Sequence, residues 1–365
     1  MFRSPPPIRV LDPVVANQIA AGEVVTRPAS VVKELVENAI DAGASRVEVS
    51  IDSGGTRRIT VADDGHGMTR DGLLLAVQRH ATSKIRAADD LLSIQTLGFR
   101  GEALPSIASV SRFVLQSRAA EEESGTELRI EGGQVLGTAP VGCAPGTTVE
   151  VSDLFFNVPA RRKFLRAMST ESAHVTAAVQ SAALAHPGIH VVLRRDGRRA
   201  RNWLRVGGWR DRVAQVLGLE RAAPCAGDRG PISVEALVGA PDLARAGASA
   251  LHLFVNGRPV QDRALARAVL VAYGTALDQG RYPPGAVFLT VPPDLVDINV
   301  HPQKAEVRFA HARAVSDAVL SVLRAGLEKA FALPATPGDG DYASSAAHRG
   351  HFHPSHREPA TTGRS

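Results

Sequence analysis

Four oxygen-bearing side chains pose the chemical question. Glu34, Glu37, Asn38 and Asp41 recur at helical spacing within Glu34-Leu35-Val36-Glu37-Asn38-Ala39-Ile40-Asp41-Ala42-Gly43. Residues at i, i+3, i+4 and i+7 share one face of a helix. Surface helices usually mix basic residues among their carboxylates, because opposite charges at i,i+4 attract and like charges repel. This stripe holds three carboxylates and one amide, with no base among them. Alone it is either a solvated face or an oxygen-rich wall. A hard cation beside a phosphate wants such a wall, and water activation wants one free carboxylate.

The stripe needs a helix to carry it. Pro28 suits a first helical turn and Gly43 the residue past the last, so the helix runs from about Pro28 to Ala42. Val32, Leu35, Val36 and Ala39 form its buried face. Before it, residues 16–29 combine small and apolar side chains, which suit packing better than a partner surface. After it, Val47, Val49 and Ile51 alternate as a strand, Ser53 to Thr56 turn, and Ile59 and Val61 alternate again. That hairpin delivers Asp63-Asp64-Gly65-His66-Gly67-Met68. Two glycines at a strand end let backbone turn sharply against a flat ligand, and a carboxylate there can accept from an adenine amino group. A plain tight turn is the alternative. The acidic spacing does not fit a calcium loop.

Two further segments suit an anion. Arg79-His80-Ala81-Thr82-Ser83-Lys84 precedes Leu97-Gly98-Phe99-Arg100-Gly101-Glu102-Ala103-Leu104, whose glycines lead into an apolar helical run. Glycines before a helix expose backbone N–H groups, and Lys84 and Arg100 add charge. The pattern is not a Walker loop. Strands follow at Phe113–Ser117, Thr126–Ile130 and Thr147–Val151, then the basic Pro159-Ala160-Arg161-Arg162-Lys163-Phe164-Leu165-Arg166 and a helix to about Leu184. Four positive charges in six residues suit a polyanion contact more than a solvated helix start.

Strands resume at Ile189–Arg194, and Val206 to Trp209 is the candidate junction. Beyond it, strands at Ile232–Val238, Ala250–Val255 and Ala286–Val291 and a helix at Arg263–Tyr273 make a second α/β unit. Asn256-Gly257-Arg258-Pro259 reads as a turn with a base at its tip. Val296 to Phe309 contains a loop carrying Lys304, and a final helix runs over about Ala312–Phe331. The remaining Pro-, Gly-, Ser-, Ala- and His-rich residues, 333–365, read as a disordered tail. A flexible tail suits them better than a metal site at His348, His351, His353 and His356.

At 365 residues and 44% hydrophobic content, the chain can form two cored domains and a tail. No apolar run reaches membrane-span length, no secretory h-region follows Met1, and the two cysteines match no metal spacing. A reducing cytoplasm is expected. The net charge of +5 permits a polyanionic partner without demanding one. Lysine appears only at Lys33, Lys84, Lys163, Lys304 and Lys329, leaving 37 of the 42 basic residues as arginine. All but Lys329 lie inside candidate motifs, where a compact ammonium differs from a planar guanidinium.

Together these segments resemble the N-terminal half of the MutL family of DNA mismatch-repair ATPases. The resemblance spans roughly residues 8–331. It rests on Ile19 to Val25 with Arg27 to Leu35, on Gly98 to Leu104, and on Asn299-Val300-His301-Pro302-Gln303-Lys304. It implies an α/β fold, the α+β two-layer sandwich of GHKL (Bergerat) ATPases, over residues 1–205. A second α/β domain, resembling the ribosomal-protein-like transducer domain, follows over 206–332. The implied cofactors are ATP and Mg2+. Glu34 resembles the general base and Asn38 the magnesium ligand. Asp63 resembles the adenine reader, with Gly65 and Gly67 shaping its pocket and Thr147 assisting through water. Thr82, Ser83, Lys84, Gly98, Phe99, Arg100 and Gly101 correspond to the phosphate lid, and Lys304 to the γ-phosphate sensor.

The resemblance further implies an ATP-dependent homodimer, with residues 1–25 crossing to the partner, and a basic groove for DNA. Lys163, Arg166, Arg258 and Arg263 are its candidate phosphate contacts. A MutS-type mismatch sensor and downstream incision or unwinding factors are the implied protein partners, with no membrane. Members usually continue to a C-terminal dimerisation domain, often with a nicking site. No such motif occurs here, so endonuclease activity and constitutive dimerisation are not expected of this chain. Another GHKL ATPase, such as a type II topoisomerase subunit, is the alternative, as is a non-catalytic DNA-binding scaffold.

Overall fold

A computed structural model describes Arg9 and residues 13–84, 96–98, 101–297 and 307–332. Helix α1 spans Pro13–Val24 and α2 Pro28–Asp41, with proline in the first turn, where its missing N–H costs nothing. Val31, Val32, Leu35, Val36 and Ala39 make the buried face of α2. Strands β1 (Arg46–Asp52) and β2 (Arg58–Asp63) form the expected hairpin. Then come α3 (Arg70–Ala76), α4 (Ala103–Ser109), β3 (Arg112–Arg118), β4 (Gly125–Glu131), β5 (Gln134–Val141) and β6 (Gly146–Ser152). After these are α5 (Pro159–Lys163), α6 (Met168–Ala185), β7 (His190–Arg195) and β8 (Arg198–Trp203).

These strands make one sheet in the order β5-β4-β3-β6-β2-β1-β7-β8. All its pairs are antiparallel except β1 with β7. Alternate residues point inward: Val47, Val49 and Ile51, then Ile59 and Val61, then Phe113 and Leu115, then Val149 and Val151 are all buried. The inward row packs beneath α2 and α6, giving a two-layer sandwich whose other face carries the polar positions. Strand β5 is exposed along nearly all its length, as an edge can be.

The chain then forms α7 (Trp209–Leu217), β9 (Ala222–Arg229), β10 (Ile232–Gly239), β11 (Arg245–Ala246), β12 (Leu251–Val255) and β13 (Arg258–Val260). It ends with α8 (Arg263–Tyr273), β14 (Arg281–Tyr282), β15 (Gly285–Thr290), β16 (Val296–Asp297), β17 (Arg308–Phe309) and α9 (Ala312–Phe331). The second sheet runs β13-β12-β15-β10-β9. Helices α8 and α9 pack on each other and cover one of its faces. Asp262 caps α8 by accepting from the Leu265 N–H at 2.9 Å.

A third apolar cluster joins helices α6 and α7 to the second sheet. Leu184 of α6 and Val213 of α7 meet Leu237, Phe254 and Ala286 on the other face of the second sheet. Phe254 and Phe288 stack there at 4.8 Å. Arg212 is fully buried and donates to the carbonyls of Pro187 (2.8 Å) and Ile189 (2.5 Å) and to Gln215 (3.0 Å). These bonds offset the desolvation that lowers its pKa.

Besides the two- and three-residue β11, β13 and β14, three strands escaped the alternation pattern: β5, β8 and β9. Strand β8 is arginine-rich with one buried residue, and β9 carries small side chains, so neither shows a hydrophobic row. The basic segment holds a short helix of its own, α5, ahead of the expected helix, which runs as α6. Buried Glu171 accepts from the Arg166 N–H at 2.9 Å and starts α6 anew. The expected tail lies outside the described residues. Among those residues, no helix is long and apolar enough to cross a membrane.

Candidate nucleotide site

The stripe on α2 opens onto a cavity of about 1110 Å³. Glu34, Asn38 and Asp41 line it together with Asp63, Gly67, Thr82, Ser83, Lys84, Gly98, Gly101 and Thr147. Glu37 does not line it. It is almost buried and sits 3.6 Å from Lys33, so the stripe is split rather than uniform. Glu34 makes no hydrogen bond or ion pair to any described residue, although it faces the cavity. A carboxylate left unengaged in this way keeps its lone pairs for a proton.

At one end of the cavity, β2 delivers Asp63. Its Oδ1 accepts from the Gly65 N–H at 2.9 Å. Burial raises the Asp63 carboxyl above its ordinary value, against the lowering pull of the Gly65 and Thr147 N–H groups. Gly67 has φ +67°, and a Cβ there would lie 2.0 Å from the Arg118 carbonyl oxygen. Thr147, on β6 opposite Asp63, shares a hydrogen bond of 2.9 Å with Ser117. Ser117 also donates to the Gly146 carbonyl and accepts from the Met68 N–H, each at 2.9 Å. That buried hydroxyl ties the ends of β3 and β6 to the loop that follows β2. Its signal was in the sequence: Phe113, Leu115 and Ser117 form one inward row, and a serine breaks it.

At the other end, charges cross between segments. The Lys84 ammonium donates to Asn38 Oδ1 (2.9 Å) and to Asp41 Oδ2 (2.6 Å). Asp41 also accepts from the N–H groups of Leu97 (2.9 Å) and Gly98 (3.0 Å). Asp41 entered the sequence reading only as part of the stripe, yet it is the hub of this end. Gly101, at φ +64°, brings its Cα against Ala81, whose carbonyl oxygen would stand 2.3 Å from an added Cβ. So the two anion-suited segments do converge. Lys84 N–H donates to the Thr82 hydroxyl at 3.1 Å. Phe99, Arg100 and Lys304 lie outside the described residues.

The donor set fits a magnesium-bound polyphosphate. Asn38 Oδ1 already accepts a hydrogen bond from a cation, the Lys84 ammonium. Among the described residues, no cluster of three His, Cys, Asp or Glu could hold a metal. A Mg2+ ion at Asn38 would therefore take most of its oxygens from phosphates and water, as this ion commonly does.

The candidate DNA contacts divide. Lys163, Arg166 and Arg263 are exposed. Arg258 is not at the tip of a turn. It opens β13, is 6% exposed, and donates to the carbonyls of Thr96 (2.6 Å) and Leu97 (3.4 Å). A guanidinium engaged in this way cannot grip a phosphate outside, so that assignment is corrected. Arg161 likewise turns inward, against Gly22 of α1.

Comparison with known proteins agrees with this geometry. Residues 26–139 match the family described as histidine kinase-, DNA gyrase B-, and HSP90-like ATPase. Residues 214–328 match the family described as DNA mismatch repair protein, C-terminal domain. A DNA mismatch repair protein MutL from Anaeromyxobacter sp. (strain K) is 53% identical over 339 residues, covering 92% of this chain and 56% of the relative. A MutL from Xylella fastidiosa (strain M23) is 49% identical over 348 residues, 93% of this chain and 56% of the relative. The chain thus spans about half the length of these relatives. Among solved structures, the Aquifex aeolicus MutL ATPase domain complexed with ADP is 32% identical, with TM-score 0.57. The match covers 74% of this chain and 94% of that one. The N-terminal domain of a DNA repair protein is 25% identical with TM-score 0.74, covering 87% of this chain and all of the other.

Proposed function

The chain belongs to the MutL family of DNA mismatch repair proteins, and from that premise we propose that it binds ATP with Mg2+ and hydrolyses it slowly in mismatch repair. The observation that carries the reading is Glu34: a carboxylate facing the cavity with no described partner, on the same helix as Asn38 and across from Asp63. The ADP named with the Aquifex aeolicus domain supports the choice of nucleotide.

Bound MgATP supplies a terminal phosphoryl group whose charge the metal partly neutralises. The residues of the chain do the rest. Asp63 accepts from an adenine amino group through the oxygen that Gly65 leaves free, and the Thr147 hydroxyl orders water beside it. Asn38 offers its amide oxygen to the metal. Lys84 faces the phosphates, with Thr82, Ser83, Gly98 and Gly101 lining the same wall. We assign Phe99 and Arg100 to that wall, and Lys304 to the terminal phosphate, on their motifs. Glu34 orients a water and takes its proton as the oxygen attacks phosphorus.

We assign residues 1–205 to an ATPase domain and 206–332 to a transducer domain. Nucleotide would act as a switch between them, with residues 1–25 pairing two copies. Exposed Lys163, Arg166 and Arg263 would meet DNA phosphates without reading sequence. MutS-type sensors and downstream repair factors are the proposed partners, in the cytoplasm.

Glu34→Ala is expected to lower turnover by about 100-fold or more, the usual worth of a general base, while ADP affinity stays within about threefold. Turnover at the parental rate would remove Glu34 as the base. DNA affinity is expected to drop steeply with salt, by about 10- to 40-fold between 50 and 200 mM if two or three phosphates are neutralised. A flat response in filter binding would remove the basic contacts.

A further inference from the structure

We propose that Arg258 is a positioning residue through which the second sheet holds the phosphate-facing turn of the nucleotide site. The proposal rests on the nucleotide reading above and concerns how that site is held in place.

Strand β13 is the edge of the second sheet, and Arg258 is its first residue. An almost buried guanidinium is costly unless its donors are engaged. Burial lowers the Arg258 pKa, and the nearby carboxylates of Glu37 and Asp41, both on α2, oppose that shift. The donors go to Thr96 O and Leu97 O. All these partners belong to the other part of the chain.

Peptide geometry makes the arrangement specific. The Thr96 carbonyl and the Leu97 N–H belong to one planar peptide unit, and the Leu97 carbonyl and the Gly98 N–H to the next. Arg258 grips the oxygen end of both planes. Asp41 grips the N–H end of both, through separate carboxylate oxygens. Two consecutive peptide planes are therefore clamped between a cation on the second sheet and an anion on α2. Each peptide dipole points with its carbonyl toward the cation and its N–H toward the anion, so the two clamps polarise each other favourably.

The clamped turn abuts the reactive end of the cavity. A Cβ on Gly98 would lie 3.2 Å from Lys84 Nζ and 3.6 Å from Asn38 Oδ1. Any shift of β13 against α2 would rotate these planes beside the metal ligand. Arg258 thus links the second sheet to the phosphate end without touching the cavity itself. A lysine could reach one carbonyl but not fork across two.

The test is amide hydrogen exchange of the full chain, with variants Arg258→Ala and Arg258→Lys. In Arg258→Ala the Leu97 and Gly98 amides are expected to exchange about tenfold faster or more, while amides of β10 and β15 keep their protection. Arg258→Lys should fall between the two. Turnover should fall further than ADP affinity, because the adenine end is untouched. Unchanged exchange at Leu97 and Gly98 would overturn the proposal. So would equal acceleration across the second sheet, which marks a merely structural arginine. If the parent protein hydrolyses no ATP, the proposed function fails, and the exchange comparison still decides the role of Arg258.

Discussion

At the proposed adenine end, Asp63, Gly65, Gly67, Ser117 and Thr147 all sit on or beside neighbouring strands of one sheet, and a single serine hydroxyl joins two of the strand ends to the loop after β2. At the proposed phosphate end, the partners come from α2, from Lys84, from Thr96 to Gly98 and from the edge of the other sheet. The first end is held by backbone pairing, the second by charge-assisted bonds between separate segments. A ladder bond has neighbours on both sides that keep it in register. A lysine–carboxylate pair depends on two flexible side chains, and its strength depends on how well water is kept out. The adenine end should therefore fail through sterics and the phosphate end through electrostatics.

The largest expected effect comes from pressing that contrast with one methyl group at each end. Gly67→Ala would force a side chain into positive φ and place its Cβ 2.0 Å from a backbone oxygen. The neighbouring strand end must shift, so the variant should lose about 3 kcal/mol of stability. In Gly98→Ala the one tight contact is the end of the Lys84 side chain at 3.2 Å, with Asn38 and Asp41 oxygens at ordinary contact distance, and a flexible ammonium can yield for under about 1 kcal/mol. Thermal or urea unfolding of the two variants checks the difference. Equal losses would mean that the phosphate end is as rigid as the sheet.

What was legible in the sequence follows the same division. Val47, Val49 and Ile51 and then Ile59 and Val61 announced a hairpin, and a hairpin announces where its end must be. The turn carrying Asp63 was therefore visible as a place, not only as a motif. The helices Arg263–Tyr273 and Ala312–Phe331 were likewise legible from their periodicity. Arg258 was misread because Asn-Gly-Arg-Pro looks like an exposed turn, and local chemistry does not reveal a partner more than a hundred residues away in the chain. Asp41 was seen on the stripe, but its clamp on Leu97 and Gly98 is a tertiary contact with no local signature. Glu37 looked equivalent to its neighbours at helical spacing, and only packing against the rest of the fold set it apart.

Replacing one carboxylate at each end sharpens the comparison further. In Asp63→Asn, the amide oxygen can still accept from Gly65, which leaves an NH2 group facing the adenine amino group, donor against donor. Affinity for adenosine, ADP and ATP alike should fall by about 30-fold, the worth of a hydrogen bond to a charged group. Asp41→Asn should spare adenosine and weaken ATP by about tenfold, because it loosens Lys84 and two N–H groups at the phosphate end only. Titration calorimetry with the three ligands separates the two patterns, and a loss shared equally by all three in Asp41→Asn would contradict the division. The pH dependence carries a sign. Burial raises the folded pKa of Asp63, so its contribution to stability is fully present below its unfolded pKa and is lost as pH rises through the folded value. Above that folded value the ionised, buried carboxylate is thus a cost to the free protein, borne for the ligand. There Asp63→Asn should be no less stable than the parent, and it should lose its advantage as pH falls. ADP affinity of the parent should in turn weaken as pH falls through that raised value, since the oxygen that takes the proton no longer accepts from adenine. An Asp63→Asn variant less stable than the parent on the ionised side of that transition would show that Gly65 and Thr147 more than repay the burial, and that this end is held by charge after all.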